Sequence, residues 1–529
     1  MVYCGKPSKG CGECRARKIK CDQDRPTCSQ CRRANRSCPG YRDQLSLMFR
    51  DESQAVVRKA RAAASGRRGA SPAHSSKPQS CSPAMQPFTL APQEKGTTFF
   101  LSTYAWMGAS NLIKRGFDYS PSSKLPLSEK ALLSCISSLG MAALSGIQNC
   151  RSLRLTATRE YTSALKLTNA ALRDSTEAKT DATLTAIVLL SLFEIVTCKT
   201  AGSLENWTQH VRGAVALMEL RGIDQLCSDT GLLMFYALRN SILIGCLQKR
   251  TDIPLALLEW SSKAATMHPS FEGATVDQLT HLIVRLVNFR ANVKSQVLID
   301  CAEILSVAHE LDLELTTWAH NLSPSWSYQT ITCRDNCFFR VSECDKLRPY
   351  NGRYHVYRDL WMCNIWNNYR YARILVNEII LNQLQSQASR STTLSYSRVF
   401  RDHCRSVRDA AREVAEDICY TVPRQLGVMP HETQCPSGPQ SSLGGFTLLW
   451  PLYIATIIDG HLHPLSRWVA DCFQVIARTM GIDQAVALAT LLPTEFGAAG
   501  WINDLDDESN DNQDLYTSGD SNDLTCLKT

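Results

Sequence analysis

The sequence lacks a glycine-rich phosphate loop, a dinucleotide-binding fingerprint and a Gly-x-Ser-x-Gly nucleophile elbow. Nucleotide hydrolysis, dinucleotide-dependent redox chemistry and serine-type acyl transfer therefore have no motif to rest on. No constellation supports an enzyme, and no catalytic residue is assigned. Long apolar runs are also scarce. None reaches the roughly 18 to 20 residues that a membrane span needs, and the nearest, Leu184 to Val196, is short and contains Glu194. The opening residues, Met1-Val2-Tyr3-Cys4-Gly5-Lys6, start no apolar signal segment. A soluble intracellular protein without a membrane partner is the expectation. Strand-type alternation is almost missing, which points to a helical body. Acid is scarce at one end: residues 1–70 carry 17 Lys or Arg against 6 Asp or Glu, whereas the remainder carries 40 against 44. A basic arm on a mildly acidic body suggests nucleic acid at one end and protein partners at the other.

Cysteine, by contrast, is plentiful, at 23 residues. Six of them, Cys11, Cys14, Cys21, Cys28, Cys31 and Cys38, fall in two copies of one spacing, C-x2-C-x6-C. Zn2+ prefers soft thiolate ligands and is four-coordinate in structural sites. One zinc would leave two of these cysteines over, and two isolated tetrahedral zincs would need eight ligands. Six suffice for two Zn2+ if two thiolates bridge. The repeat makes the bridging pair Cys11 and Cys28, with Cys14 and Cys21 completing one metal and Cys31 and Cys38 the other. Six thiolates around two Zn2+ leave a net charge of −2, and that core is wrapped in Arg15, Arg17, Lys18, Lys20, Arg25, Arg32, Arg33 and Arg36. A disulfide knot would need an oxidising compartment, which nothing here indicates.

This stretch resembles the fungal binuclear zinc-cluster (Zn2Cys6) DNA-binding family, whose spacing it meets at every position. Pro26 corresponds to the family's loop proline, and Arg15 to Lys20 to its basic run. The resemblance implies that a CGG triplet is read by Lys18 and its neighbour Arg17, with Arg15 and Lys20 on phosphates. Lys or Arg to guanine O6 and N7 is the commonest specific contact, and phosphate contacts add affinity without sequence information. In each half the cysteine pair is expected to nucleate a short helix running toward the third cysteine, carrying Arg15, Arg17, Lys18 and Lys20 in the first half. Lys9, Arg32, Arg33 and Arg36 add general attraction.

Downstream, Leu45, Phe49, Glu52 and Val56 lie at helical spacing, too few for an established coiled-coil seam. From Ser65 to about Gly96, Pro72, Pro78, Pro83, Pro87 and Pro92 among Ser, Ala and Gly mark a flexible linker. The periodicity then predicts helices over 129–147, 151–173, 181–198, 203–221, 231–248, 276–318, 358–384, 396–420, 446–458 and 465–480. This body resembles the large helical fungal transcription factor region. The matching stretches include Thr183 to Glu194, His210 to Gly222, Ile418 to Pro423, Leu448 to Tyr453 and Met480 to Ala485. Residues 499–529 are acidic with interspersed Trp501, Ile502, Leu505, Leu515, Tyr516 and Leu524, a composition shared by activation segments and by plain solvated termini.

The expected organisation is mostly α: a DNA-binding module at 1–45, a basic then Pro/Ser-rich linker at 46–96, a helical regulatory domain at 97–498 and an acidic tail at 499–529. The expected function is zinc-dependent regulation of RNA polymerase II genes in the nucleus. Its partners would be double-stranded DNA, a second copy of the chain, and transcription machinery or co-regulators. By analogy with the family, the targets include metabolic or secondary-metabolite gene clusters. A repressor or co-regulator acting through protein interaction is the first alternative. An enzyme built on the helical body is the second. Two further sets carry metal-ligand residue types, Cys333, Cys337 and Cys344 with His355, and His461 with His463; Phe338 and Phe339 favour packing for the first and Pro464 a loop for the second.

Overall fold

Two separate groups of buried side chains organise the chain, one of sulfur and one of hydrocarbon. The computed structural model describes residues 10–24, 26–40, 90–104, 125–199, 203–267, 271–333, 337–342, 345–391, 397–428, 442–492 and 497–502. The expected coiled-coil segment, most of the linker and nearly all of the acidic tail lie outside the described residues.

The sulfur group belongs to a module with two one-turn helices, α1 (Gly12–Ala16) and α2 (Ser29–Arg33). The hydrocarbon core belongs to a helical body. Its first helix, α3 (Pro92–Thr103), reaches back into the proline-containing stretch, with Pro92 at a first-turn position where a missing N–H costs nothing. α3 lies against α4 (Leu127–Ile147). The two backbones meet glycine to glycine: a Cβ placed on Gly140 would fall 1.8 Å from the carbonyl oxygen of Gly96. Phe100, fully buried, fills the space beside that contact. α4 also packs on α5 (Arg151–Ala171) and α6 (Asp181–Thr197). Fourteen of the 17 residues of α6 are buried, as a helix apolar nearly all round requires. Its start is fixed by the Thr180 side chain, which accepts a hydrogen bond from the Thr183 N–H at 3.2 Å. α7 (Ser203–Arg221) and α8 (Asp229–Lys249) continue this layer.

Among the described residues, two helices are long and apolar enough to cross a bilayer, contrary to the expectation above: Leu127–Ile147 and Gly231–Lys249. The first is 72% buried inside the protein. The second sends Met234, Phe235, Leu238, Ile242 and Leu247 into the same core.

The second half is built from α9 (Leu255–Met267), α10 (Phe271–Lys294), α11 (Cys301–His320), α12 (Leu360–Arg390) and α13 (Arg398–Gln425). α14 (Ser442–Ala455), α15 (Pro464–Met480) and α16 (Gln484–Thr490) follow. α12 is the central rod. α11 runs antiparallel to it, joined by Arg373–Asp312 at 2.9 Å near the middle and by the Trp318–Trp366 edge contact further along. α13 is antiparallel on another side, with Arg370–Asp417 and Gln425–Asn364 as successive links.

Two departures from the expected pattern have local causes. The stretch 276–318 is not one helix. It breaks at 295–300, where Gln296 turns left-handed at φ 59° and Asp300 caps α11 by accepting from the N–H groups of Ala302 and Glu303. A small amount of strand is also present among the described residues. β1 (Gln329–Thr332) pairs antiparallel with β4 (Arg353–Val356), and β2 (Phe339–Arg340) with β3 (Lys346–Leu347). Strands this short display no readable alternation.

Candidate metal centre and nucleic-acid interface

In each half of the module the first cysteine of the C-x2-C pair sits at the start of the turn, so its sulfur faces the N–H three residues on. Cys14 N–H donates to Cys11 Sγ and Cys31 N–H to Cys28 Sγ, both at 3.4 Å. A third backbone N–H, that of Cys11, reaches Cys21 Sγ at 3.5 Å. The sulfurs converge: Cys11–Cys28, Cys11–Cys31 and Cys14–Cys28 are each 3.7 Å apart. They form two four-sulfur groups, Cys11, Cys14, Cys21 and Cys28, and Cys11, Cys28, Cys31 and Cys38. Within each group all sulfurs lie within 4.8 Å of one another, and Cys11 and Cys28 belong to both. These are the only such groups among the described residues.

The donor set suits a soft cation. Burial pushes the Cys31 thiol up to about 12, whereas the Cys11 N–H pulls Cys21 down to about 7. A cation among the sulfurs would supply the charge that makes the buried members thiolates. The sulfurs have neither the pairwise bonding of disulfides nor any bulk of hydrocarbon around them.

The halves also share their backbone course. Ile19 N–H bonds the Cys14 carbonyl and Arg36 N–H the Cys31 carbonyl, each at 3.0 Å. Lys18 (φ 55°) and Asn35 (φ 50°) occupy the same left-handed position that ends each helix. Asn tolerates that conformation and Lys does not favour it. The left-handed turn limits the helix, so Arg17, Lys18 and Lys20 lie beyond α1 rather than on it, and all three are exposed. Of the expected basic set only Arg15 falls on α1. Arg32, Arg33 and Arg36 are exposed on the other half.

The halves are tied by groups that spacing did not reveal. The Asp22 carboxylate accepts from the Ser29 N–H at 3.0 Å, at the head of α2. Glu13 pairs with Arg36 at 2.7 Å, and Gly12 N–H bonds the Gly40 carbonyl. An acid before the second cysteine pair and one inside the first are the signals that could have marked them.

The other metal sets have other duties. His463 caps α15 through Nδ1, which accepts from the Leu465 N–H at 3.3 Å. Cys344 lies outside the described residues, and Cys333 and Cys337 are packed against the hydrocarbon core. His355 is buried in a closed polar ring. Its Nδ1 is 3.0 Å from Tyr357 Oη, its Nε2 is 3.6 Å from Asp417, and Arg370 donates to Tyr357 Oη at 2.8 Å and to Asp417 at 3.3 Å. The buried Arg370 guanidinium stands over the rings of Tyr328, Trp366 and Tyr357. Burial, reinforced by Arg370, holds His355 far below the usual imidazole range, at about 2.

Residues 9–47 match the family model described as the fungal Zn(2)-Cys(6) binuclear cluster domain, and residues 123–455 that of the fungal specific transcription factor domain. Among curated proteins, the chain is 56% identical over 38 residues to white-opaque regulator 2 of Candida albicans, which covers 7% of this chain and 8% of that one. It is 26% identical over 141 residues to transcription factor dbaG of Emericella nidulans, covering 26% and 32%. The aspercryptin biosynthesis cluster-specific transcription regulator atnN of the same organism matches at 46% over 37 residues, 7% and 6% of the two chains. The matched stretches thus span a third or less of these relatives' own lengths. No solved structure matches.

Proposed function

The chain belongs to the fungal specific transcription factors that carry a Zn(2)-Cys(6) cluster, and on that premise we propose that it is a nuclear, zinc-dependent, sequence-specific regulator of RNA polymerase II genes. Two Zn2+ are held by six thiolates, with Cys11 and Cys28 bridging, Cys14 and Cys21 completing one site and Cys31 and Cys38 the other. The observation that carries this reading is the pair of four-sulfur groups with two sulfurs in common. Zinc supplies folding energy here rather than chemistry.

Each half supplies a basic surface to DNA. In the first, Lys18 is the residue aimed at base edges of a CGG-type triplet, with Arg17 beside it. Its left-handed backbone supports the assignment, because Lys stands where the twin half has the better-suited Asn35. Arg15 and Lys20 hold phosphates. One triplet is too little to single out a promoter among the roughly 10^6 to 10^9 competing sites of a genome, so the protein binds as a homodimer at paired triplets. The named role of one relative, a biosynthesis cluster-specific regulator, supports a biosynthetic gene cluster as the target.

The test is binding of the full chain to a paired-CGG duplex and to a scrambled one, with metal content measured on the same sample. Two zincs per chain and selective binding that Lys18→Asn removes are expected. One zinc per chain, or unchanged selectivity in Lys18→Asn, would overturn the reading.

A further inference from the structure

α13 carries arginine at positions 398, 401, 405, 408 and 412. Alternating steps of three and four place all five within about 80° of one another around a helix that turns 3.6 residues per turn. They form a ladder roughly 21 Å long at 1.5 Å per residue. Asp402 pairs with Arg398 and Arg405, Asp409 with Arg408 and Arg412, and Asp459 with Arg412 at 2.6 Å. Between 398 and 412 the sequence of α13 holds five arginines and only two acids, Asp402 and Asp409, so the stretch itself carries a positive surplus. The outer rung, Arg398, is 90% exposed, and the Nε of Arg401 is buried without a hydrogen-bond partner.

The foot of this ladder is where the last described residues lie. Ala498 N–H bonds the Ile457 carbonyl and Ala499 N–H the Ile458 carbonyl, at 3.0 and 2.9 Å. The next residue after that pairing is Asp459, which holds Arg412. The following segment contains Asp504, Asp506, Asp507, Glu508, Asp511 and Asp514 and no basic residue before Lys528. Fully extended, 504–514 spans about 33 Å, enough to climb from Arg412 to Arg398. Leu515 and Tyr516 come next in the chain. At the top of the ladder stands Val399, which is 81% exposed.

We propose that the acidic segment 503–516 docks on the arginine ladder of α13 in the same molecule. In a regulator of the kind proposed above, the acid-and-apolar tail would then be stored on the body. A competing acidic partner would release it. The docking itself does not depend on the zinc module, so it can fail while the DNA-binding reading stands.

The test uses a chain ending at Ile502, the full chain, and a fluorescein-labelled peptide of residues 503–529 followed by anisotropy. The peptide is expected to bind the shortened chain, with affinity falling as salt rises. It should bind the full chain at least about 10-fold more weakly, because the tethered copy is present at high effective concentration. Arg398→Glu with Arg401→Glu and Arg405→Glu should abolish binding, with circular dichroism confirming the fold. Replacing the six acids by Asn and Gln in the peptide should do the same without touching the body. In the intact protein, hydrogen exchange over 398–412 should quicken when those acids are neutralised. Equal binding to the shortened and full chains, binding indifferent to either charge change, or no binding would overturn the proposal. So would a dimer lost on shortening, which would place the segment on a second copy. A drop in DNA affinity on reversing the ladder, with no effect from the tail acids, would assign the ladder to phosphate and overturn it too.

Discussion

The module and the body bury different things, and they should fail differently. In the module the fully buried side chains are sulfurs, drawn together by two one-turn helices and the loops that follow them, with almost no hydrocarbon between them. In the body, helices of up to 31 residues surround one continuous apolar core. A core of the first kind is held by an ion that can be removed. A core of the second kind is held by surface withdrawn from water, which no chelator reaches.

Metal removal should give the largest separation. Structural zinc in small modules is worth on the order of 10–16 kcal/mol, so a strong chelator should unfold residues 10–40 and abolish DNA binding. Most of the helical circular dichroism should survive. A body that melts together with the module would break the contrast. Within the module, Cys11→Ser or Cys28→Ser should release both metals and Cys14→Ser mainly one, as read by metal content per chain. Equal loss from all three would deny that two sulfurs are shared.

The converse experiment damages the body. Leu139→Ala or Leu189→Ala removes a fully buried side chain and should cost about 2–5 kcal/mol in body stability, measured by denaturant unfolding. Zinc content should not change. Gly140→Ala should match that loss, because its Cβ has no room against the Gly96 carbonyl. A silent Gly140→Ala would mean that α3 is free to move off α4.

The smallest expected effect is acid sensitivity. His355 stays neutral in the folded protein down to about 2, whereas an unfolded imidazole titrates near 6.5. The unfolded state therefore takes up the proton first as pH falls below 6.5. The folded body loses about 2 kcal/mol from this group by pH 5. His355→Asn should flatten that part of the stability profile. An unchanged acid slope would sink the assignment.

The parts of the molecule differ in how plainly the sequence announced them. The cysteine arrangement was legible because all six ligands lie within 28 residues at repeated spacing. Most helices were legible because the apolar period is long and regular. The break between α10 and α11 was not, since no Gly or Pro marks it and only the cap at Asp300 betrays it. The ring around Arg370 was illegible for another reason. Tyr328, His355, Tyr357, Arg370 and Asp417 come from four separate segments, and nothing local in any one requires the others. The extent of α1 was misjudged because Lys18, a good helix former, sits in a left-handed turn.

The glycine contact between α3 and α4 also has a mechanical consequence. α3 is the first described element of the body after the segment that leads from the DNA-binding module. That tether therefore ends in a backbone-to-backbone joint, with Gly96 lodged on Gly140 and Phe100 wedged beside it. A pull on the chain ahead of α3 would therefore be carried first by this close backbone contact.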